Sequence, residues 1–244
     1  MSVLPRPFDA SGAFETCRVS RGKVLFLEEH LHRLSESLKT LGVSGWNRER
    51  SRRRLREAAS GVRQGYVRIA VGREQGTVVV HRKEGLPYPP RLRREGIRLT
   101  TVPTRWPQGE AAPAQAKSSE RLSGVLARLE GGQAAEVLRI GPHGYLTEGT
   151  ASNLFMVREG ALCTPPRWLG VLEGVTRWRV LEAAGRLKIP TRQIPFSRHD
   201  LFNAEEAFLT NVLMGILPIR EVDGRRIGSR LPGRITRRLM GALA

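Results

Sequence analysis

The stretch Tyr145–Val157, "YLTEGTASNLFMV", carries the pattern from which the fold and the chemistry of the chain are best inferred. Its second half, from Leu154 to Val157, is an apolar run typical of a strand that enters a core. Its first half places one carboxylate, Glu148, beside a glycine and small hydroxyl residues at the start of that strand. Burying a carboxylate is costly unless it is paired or hydrogen-bonded. Glu148 is therefore expected to be solvated, paired or functional.

Outward from this stretch, the hydrophobic patterns predict two α+β lobes. In the first lobe, "AFETCRVSRGKVLFL" predicts a hairpin, "EEHLHRLSESLKTLGV" an amphipathic helix, the residues after Asn47 a very basic helix, and "YVRIAVG", "TVVVHR" and "IRLTTVP" strands. The Pro- and Ala-rich segment "TRWPQGEAAPAQA" indicates a connection. In the second lobe, "SERLSGVLARLE" and "GVTRWRVLEAAGRLKI" predict helices, and "AEVLRIG", "SNLFMV", "ALCTP", "RQIPF" and "EAFLTNVL" predict strands, before a short C-terminal helix. We place the lobes at residues 1–104 and 121–244, joined by residues 105–120.

The composition is that of a soluble globular protein, with 244 residues, 40% of them hydrophobic and 26% charged. Two cysteines without metal-like spacing and five scattered histidines give no reason to propose a disulfide or a metal site. No apolar run approaches the length of a membrane span, and the first ten residues lack the pattern of a signal peptide. A cytoplasmic protein is therefore expected.

The charge balance is unusual, because 41 basic residues oppose 23 acidic ones and give a formal net charge of +18. Such a balance raises the possibility of nucleic-acid binding. However, the arginines are spread along the chain, and the densest run, "NRERSRRRLREAAS", alternates with acids as on the solvated face of a helix. No known nucleic-acid-binding motif is present. The charge is better explained by a solvated surface of the kind found in thermophile proteins. The alternative is a positive field that attracts a small anionic substrate.

Three features together fit a phosphate-bearing aldehyde cofactor. "LEGVTRW", Leu172–Trp178, is a glycine turn that leads into a helix, whose first N–H groups bind anions well. Lys117 is the only lysine in the connecting segment and could form a Schiff base. Glu148 could face the protonated ring nitrogen of the cofactor. Each feature alone is more often an ordinary helix start, a surface lysine or a solvated carboxylate.

Four blocks of the sequence carry a resemblance to the class IV, pyridoxal-phosphate-dependent aminotransferases. They are "FETCRVSRGKVLFLEEHLHRL", "KSSERLSGVLAR", "GYLTEGTASNLFMVREGALCTPPRWLGVLEGVTR" and "EEAFLTNVLMGILPI". The match extends from about Phe14 to Gly228. The resemblance implies the α+β fold of the D-amino acid aminotransferase-like enzymes, with pyridoxal 5'-phosphate at the interface of two lobes, and a homodimer.

The resemblance also implies roles for individual residues. Lys117 is expected to be the Schiff-base lysine and the catalytic base. Glu148 is expected to face the pyridinium nitrogen, and Arg33 to hold the phosphate with its planar fork of donors. Asn153 is expected to line the pocket.

Further cofactor contacts are implied at the helix start and in the segment "LTNVL". Leu172 is expected to pack against the pyridine ring, and the backbone amides of Val175 and Thr176 to complete the phosphate cradle. Asn211 and Val212 correspond to a further phosphate contact of the family.

Within the family, "FLTNVLMGILPI" and "LRREGIRLTTVPTR" resemble aminodeoxychorismate lyase, which converts 4-amino-4-deoxychorismate to 4-aminobenzoate and pyruvate on the way to folate. "EEAFLTN" departs from the small-residue pattern of branched-chain enzymes, and "REQGTVVVHR" lacks the Arg-x-His pattern of D-amino acid aminotransferases. The R-G-x-x-x-R-G-Y stretch of many lyases is also absent. Arg105 is a candidate for binding a substrate carboxylate. The alternatives are an aminotransferase of branched-chain or D-amino acids and, less favoured, a basic nucleic-acid-binding protein on an inactive fold.

Overall fold

A computed structural model describes residues 12–73, 75–103, 116–118, 136–141 and 143–243. These residues form two compact units, one of residues 12–86 and 116–118 and the other of residues 87–103 and 136–243. Helices and sheets occur in both units, which confirms the predicted α+β class. The predicted helix "SERLSGVLARLE" and most of the predicted connection lie outside the described residues.

The first unit is built on a four-stranded antiparallel sheet in the order β2-β1-β3-β4. Its strands are β1 (Ala13–Ser20), β2 (Lys23–Val24), β3 (Gln64–Val71) and β4 (Val78–Glu84). The predicted hairpin is present, with Arg21 and Gly22 at its turn in the positive-φ region. Two helices, α1 (Leu27–Thr40) and α2 (Arg48–Ala59), accompany the sheet.

The helices of the first unit follow directly from their sequence patterns. In α1 the leucine stripe is buried, including Leu31, Leu34 and Leu38. Helix α2 begins at an N-cap, Asn47, whose side chain accepts a hydrogen bond from the amide of Arg50 at 2.8 Å. Only one narrow face of α2 is buried, so its arginine-rich face is solvated as the sequence indicates.

The second unit contains a nine-stranded sheet in the order β10-β9-β8-β11-β12-β5-β6-β7, with β13 paired to β12. Strand β7 also pairs with β8, so β8, β11, β12, β5, β6 and β7 form a closed circuit of pairings. The strands are β5 (Ile97–Pro103), β6 (Glu136–Ile140), β7 (Leu146–Gly149), β8 (Asn153–Arg158), β9 (Ala161–Thr164), β10 (Thr191–Gln193), β11 (Glu206–Asn211), β12 (Gly215–Val222) and β13 (Arg225–Arg226). The helices are α3 (Leu92–Glu95), α4 (Val175–Arg186), α5 (Arg198–Phe202) and α6 (Arg234–Ala242).

Strand β8 shows why the run from Leu154 to Val157 is continuously apolar. Leu154 and Met156 belong to one buried cluster, whereas Phe155 and Val157 belong to another, which includes residues of α4 and α6. Because successive side chains of a strand point to opposite faces, both faces of β8 are buried. Within the ranges that the structure describes, none of the helices is both long and apolar enough to cross a membrane.

The architecture differs from the sequence prediction in the placement of one strand and in several elements that were not predicted. Strand β5 pairs in parallel with β12 and β6, so residues 87–103 lie in the second unit, although the sequence placed them in the first lobe. The period-two pattern predicts a strand but does not identify its partners. The segment between β6 and β8, interpreted as a turn, contains β7, and β12 and α5 were not predicted.

Candidate active site

Glu148 lies on β7 and is buried, with a relative exposure of 3%. One carboxylate oxygen, Oε2, accepts hydrogen bonds from Asn153 Nδ2 at 3.1 Å and from the backbone amide of Leu172 at 2.9 Å. The other oxygen, Oε1, accepts a short hydrogen bond from the guanidinium of Arg139. Glu148 is therefore paired and fixed in orientation, so it is not a solvated carboxylate.

Arg139 is a partner of Glu148 that the sequence analysis missed. Arg139 on β6 lies at an irregularity in the antiparallel ladder, between the pairs Leu138–Gly149 and Ile140–Leu146, and thus near Glu148 on β7. Both side chains are buried, at 5% and 3% exposure. The available signal was a single basic residue in the otherwise apolar end of "AEVLRI".

The start of α4 lies against Asn153. Gly174 is the N-cap of α4, and no side chain caps it in the described part of the chain. A Cβ added at Gly174 would lie 2.1 Å from Asn153 Oδ1, so only glycine permits this approach. Val175 and Thr176, the first residues of the helix, are buried, and their amides have no acceptor within the helix. The arrangement fits an anion site at a helix N-terminus.

Asn153 and Leu172 join the helix start to Glu148. Asn153 Nδ2 donates to the carbonyl of Leu172 at 2.8 Å as well as to Glu148. Leu172 is buried and uses its amide for Glu148. The structure thus brings together five of the predicted site residues within the second unit: Glu148, Asn153, Leu172, Val175 and Thr176.

Glu136, which the sequence analysis also missed, organises the loop that follows Glu148. Its Oε1 accepts from the amide and hydroxyl of Thr150, and its Oε2 accepts from the amide of Ala151 at 3.3 Å and the hydroxyl of Ser152 at 3.1 Å. Thr150 and Ser152, two hydroxyl residues of the opening stretch, therefore donate hydrogen bonds to a buried carboxylate on β6. The loop is held rigidly beside Glu148.

Asn211 and Val212 lie at the turn between β11 and β12. Asn211 Oδ1 accepts from the amides of Leu213 and Met214 at 2.9 Å and 2.8 Å, and its Nδ2 donates to the carbonyl of Ala151 at 3.1 Å. Asn211 therefore ties this turn to the loop that Glu136 holds. Val212 is half-buried in the turn.

In the first unit, Lys117 is anchored by its backbone. Its carbonyl accepts from the amide of Phe14 at 3.1 Å, and its amide donates to Ser37 Oγ at 3.1 Å. The ammonium Nζ lies 5.2 Å from the centre of the Phe14 ring. The backbone of Lys117 is thus held beside the start of β1 and the last turn of α1.

Glu15 is a buried carboxylate that interacts with both Lys117 and Arg33. Arg33 donates from Nε to Glu15 Oε1 at 2.6 Å and from a terminal nitrogen to Oε2 at 2.7 Å, a bidentate pair. Although burial opposes its charge, the cations Arg33 and Lys117 and a hydrogen bond from His30 hold the pKa of Glu15 well below its usual range. The signal for Glu15 was an acidic residue at an inward position of an alternating strand.

His30 completes this buried cluster of the first unit. Its Nδ1 lies 2.8 Å from Glu15 Oε2, and because a carboxylate only accepts, this nitrogen carries the proton. Burial lowers the pKa of His30, although the neighbouring carboxylate of Glu15 favours the charged form. Arg105, the predicted substrate ligand, lies outside the described residues.

These donor sets fit a phosphate-bearing pyridine aldehyde. The second unit offers a buried carboxylate and an uncapped helix start. This helix start can lie so close to Asn153 only because residue 174 is a glycine. The first unit offers a lysine amine and an arginine. Each group that the cofactor requires is thus present among the described residues.

Comparison with known proteins assigns the chain to a family. The model of the family described as amino-transferase class IV matches residues 12–222. A protein from Methanocaldococcus jannaschii, provisionally named a branched-chain-amino-acid aminotransferase, is 34% identical over 242 residues, which cover 93% of this chain and 84% of that protein.

Solved structures agree with this assignment. The branched-chain amino acid aminotransferase of Escherichia coli has a TM-score of 0.86 and 25% identity, covering 96% of this chain and 84% of its own. The 4-amino-4-deoxychorismate lyase of Pseudomonas aeruginosa has a TM-score of 0.81 and 29% identity, covering 96% of this chain and 90% of its own. The fold and the sequence together show that this chain belongs to the class IV aminotransferase family.

Proposed function

We propose that the protein acts on the amino group of a small, negatively charged substrate with pyridoxal 5'-phosphate as its cofactor. Class IV aminotransferases are pyridoxal-phosphate enzymes, and the chain is an enzyme of that family. The observation that carries the proposal is the buried Glu148 carboxylate, held by Arg139, Asn153 and the amide of Leu172. A carboxylate in that setting supports positive charge on a ring nitrogen.

Residues of the second unit bind and orient the cofactor in this proposal. Glu148 accepts a hydrogen bond from the ring nitrogen, and Asn153 keeps the carboxylate in place. The amides of Val175 and Thr176 bind the phosphate at the start of α4. Leu172 packs against the ring, and the turn at Asn211 and Val212 adds a phosphate contact.

Residues of the first unit supply the amine and a further phosphate ligand. Lys117 would hold the cofactor through its amine, and the free amine would move the proton at the carbon that carries the substrate amino group. Arg33 donates to the phosphate, and Glu15 fixes the plane of its guanidinium. When bound, pyridoxal phosphate supplies an electron sink for the carbanion formed at that carbon.

The finer function that we propose is 4-amino-4-deoxychorismate lyase. Two observations support it: the sequence likeness around "LTNVLMGILPI", and the lyase structure, of which this chain covers 90% at 29% identity. Loss of pyruvate leaves an aromatic ring, which makes the reaction effectively one-way.

An aminotransferase of branched-chain or D-amino acids is the second candidate. It is favoured by the relative from Methanocaldococcus jannaschii, which matches 93% of this chain at 34% identity. Such an enzyme would use Lys117 to move a proton between two carbons and would need a 2-oxo acid to complete its cycle. Glu148 would have the same task.

The cofactor assignment is tested by borohydride reduction of the loaded protein. We expect the reduced cofactor on Lys117, located by peptide mass spectrometry, and no reducible absorbance band in Lys117→Ala. Lys23→Ala is the matched control, because Lys23 is exposed in the same unit, and it should be labelled like the wild type. Labelling that persists in Lys117→Ala would contradict the assignment.

The finer function is tested by pyruvate release from 4-amino-4-deoxychorismate without any added oxo acid. Sustained turnover supports the lyase, because elimination regenerates the starting enzyme without an amino acceptor. If the loaded protein is inactive in this assay and active on amino acids once an oxo acid is supplied, the aminotransferase replaces the lyase.

A further inference from the structure

The buried ion pair between Arg139 and Glu148 needs an explanation beyond stability. Both side chains are more than nine-tenths buried, and among the described residues Arg139 Nε has no hydrogen-bond partner. Removing two charges from water is costly, and their mutual attraction often fails to recover that cost. Apolar pairs of similar volume are often as stable as buried ion pairs, so a role in the function of Glu148 is the more economical explanation.

The position of Arg139 is set by the sheet. Arg139 lies at the irregularity between the pairs Leu138–Gly149 and Ile140–Leu146, and Thr147 donates to the carbonyl of Arg139 at 3.2 Å. The guanidinium cannot lose its proton in a protein. Oε1 of Glu148 therefore faces the permanent positive charge of Arg139, whereas Oε2 accepts hydrogen bonds from neutral donors.

We propose that Arg139 is a positioning residue that fixes the Glu148 carboxylate and limits how strongly it stabilises the protonated ring nitrogen of the cofactor. The proposal rests on the function proposed above for Glu148. A carboxylate paired with a fixed cation offers less negative potential to a second cation than a carboxylate held only by neutral donors. Arg139 thus sets the strength of the electron sink without touching the substrate.

Among the described residues, a second arginine lies near Glu148 but directs its hydrogen bonds elsewhere. Arg177 on α4 interacts electrostatically with Glu148, but its guanidinium donates to the carbonyl of Pro165 at 3.1 Å and to Gln193 Oε1 at 2.8 Å. Burial lowers the pKa of Arg177, and Glu173 opposes this effect. Arg139 is the arginine that donates directly to the Glu148 carboxylate in the described structure.

The test follows the protonation of the ring nitrogen in the loaded protein. Pyridoxal phosphate labelled with ¹⁵N in the ring is bound to the wild type and to Arg139→Met, and the ¹⁵N chemical shift is titrated with pH. Removal of the like charge should raise the pKa of the ring nitrogen by about one to three units. Arg139→Lys, which keeps the charge, should return the midpoint toward that of the wild type.

Two further variants make the result decisive. Arg139→Gln removes the charge but retains a donor for Glu148, so it provides the neutral comparison if Arg139→Met does not fold. Arg158→Met is the control, because Arg158 pairs with Asp200 elsewhere in the second unit and should leave the midpoint unchanged. An equal midpoint in the wild type and in a folded neutral variant overturns the proposal.

The two proposals fail in distinguishable ways. If Lys117 of the wild type is not labelled after borohydride reduction, the proposed function fails and the ring nitrogen titrates as in free pyridoxal phosphate. If Lys117 is labelled and the midpoint does not respond to the charge at position 139, only the role of Arg139 is lost.

Discussion

Glu15, in the first unit, is kept ionised by the residues around it rather than by its intrinsic acidity. Burial alone would favour the neutral acid, but Arg33, Lys117 and His30 reverse this, and the pKa of Glu15 lies well below its usual range. The folded protein therefore keeps Glu15 ionised at a pH where the unfolded chain protonates it. The stabilisation is fully present above the pKa of Glu15 in the unfolded chain, which is about 4.3. It is lost as the pH falls toward the pKa of Glu15 in the folded protein.

Replacement of Glu15 tests this linkage. At neutral pH, Glu15→Gln leaves Arg33 without its carboxylate and should cost about 3–5 kcal/mol of unfolding free energy. The difference in unfolding free energy between wild type and variant should narrow as the pH falls from 5 to 3, measured by denaturant unfolding at each pH. Glu57→Gln, at an exposed position (65%), should differ little from wild type throughout. A gap that stays constant over this range would contradict the linkage.

At the residue scale the sequence predicts candidates more readily than their partners. Glu148 stands out because it begins an apolar run beside a glycine, and Lys117 because lysine is rare in this chain. Arg139 and Glu136 were not found, because their roles depend on a strand register with an irregularity and on a loop fold. Neither feature leaves a periodic pattern.

At the scale of secondary-structure elements, the start of α4 depends on one glycine. Gly174 has φ −67° and ψ 135°, which alanine also adopts, so the effect of Gly174→Ala should be steric. The added Cβ would displace Asn153, which holds Glu148. We expect a loss of about 1–3 kcal/mol in stability and weaker binding of pyridoxal phosphate, measured by thermal unfolding and by titration.

Gly185→Ala provides the control within the same helix. A Cβ at Gly185 meets no atom within 4 Å, so this variant should gain up to about 1 kcal/mol from helix propensity and bind the cofactor unchanged. If both alanine variants bind pyridoxal phosphate as the wild type does, the close approach of α4 to Asn153 has no functional value.

Long amphipathic elements and the apolar strand β8 were predictable, whereas several short elements were not. Helix α1 follows from its leucine stripe, and α2 from Asn47 and its basic face. Strand β7 has only four residues, all buried, and carries a glycine and a glutamate, so no alternation marks it as a strand. The assignment of β5 to the second unit depends on partners that are more than thirty residues away along the chain.

At the scale of the whole molecule, the net charge of +18 should accelerate the capture of anions. The arginines of α2 contribute to this charge, although some of them are paired with acids. Arg52, for example, pairs with Glu28 and Glu49. Assembly as a homodimer and a cytoplasmic location remain predictions from the resemblance and the composition.

The rate at which the unloaded protein binds pyridoxal phosphate should therefore depend on salt. We expect the association rate, measured by stopped-flow absorbance, to fall by about tenfold between about 0.01 M and 0.1 M salt, as the Debye length shortens from about 30 to 10 Å. A triple variant of exposed α2 arginines, Arg50→Gln, Arg53→Gln and Arg56→Gln, should show a shallower dependence. Equal rates at both salt concentrations would exclude electrostatic steering.

The closed circuit of strands in the second unit has a consequence for how such a protein diverges. Because β7 is paired with both β6 and β8, the position of Glu148 is inherited with the backbone of the sheet. Loops that leave the strand ends can lengthen, shorten or change composition without altering those pairings. Mutations in these loops can therefore change which substrate is bound while the Glu148 carboxylate keeps its position. New specificities can then arise in descendants without a change in the chemistry.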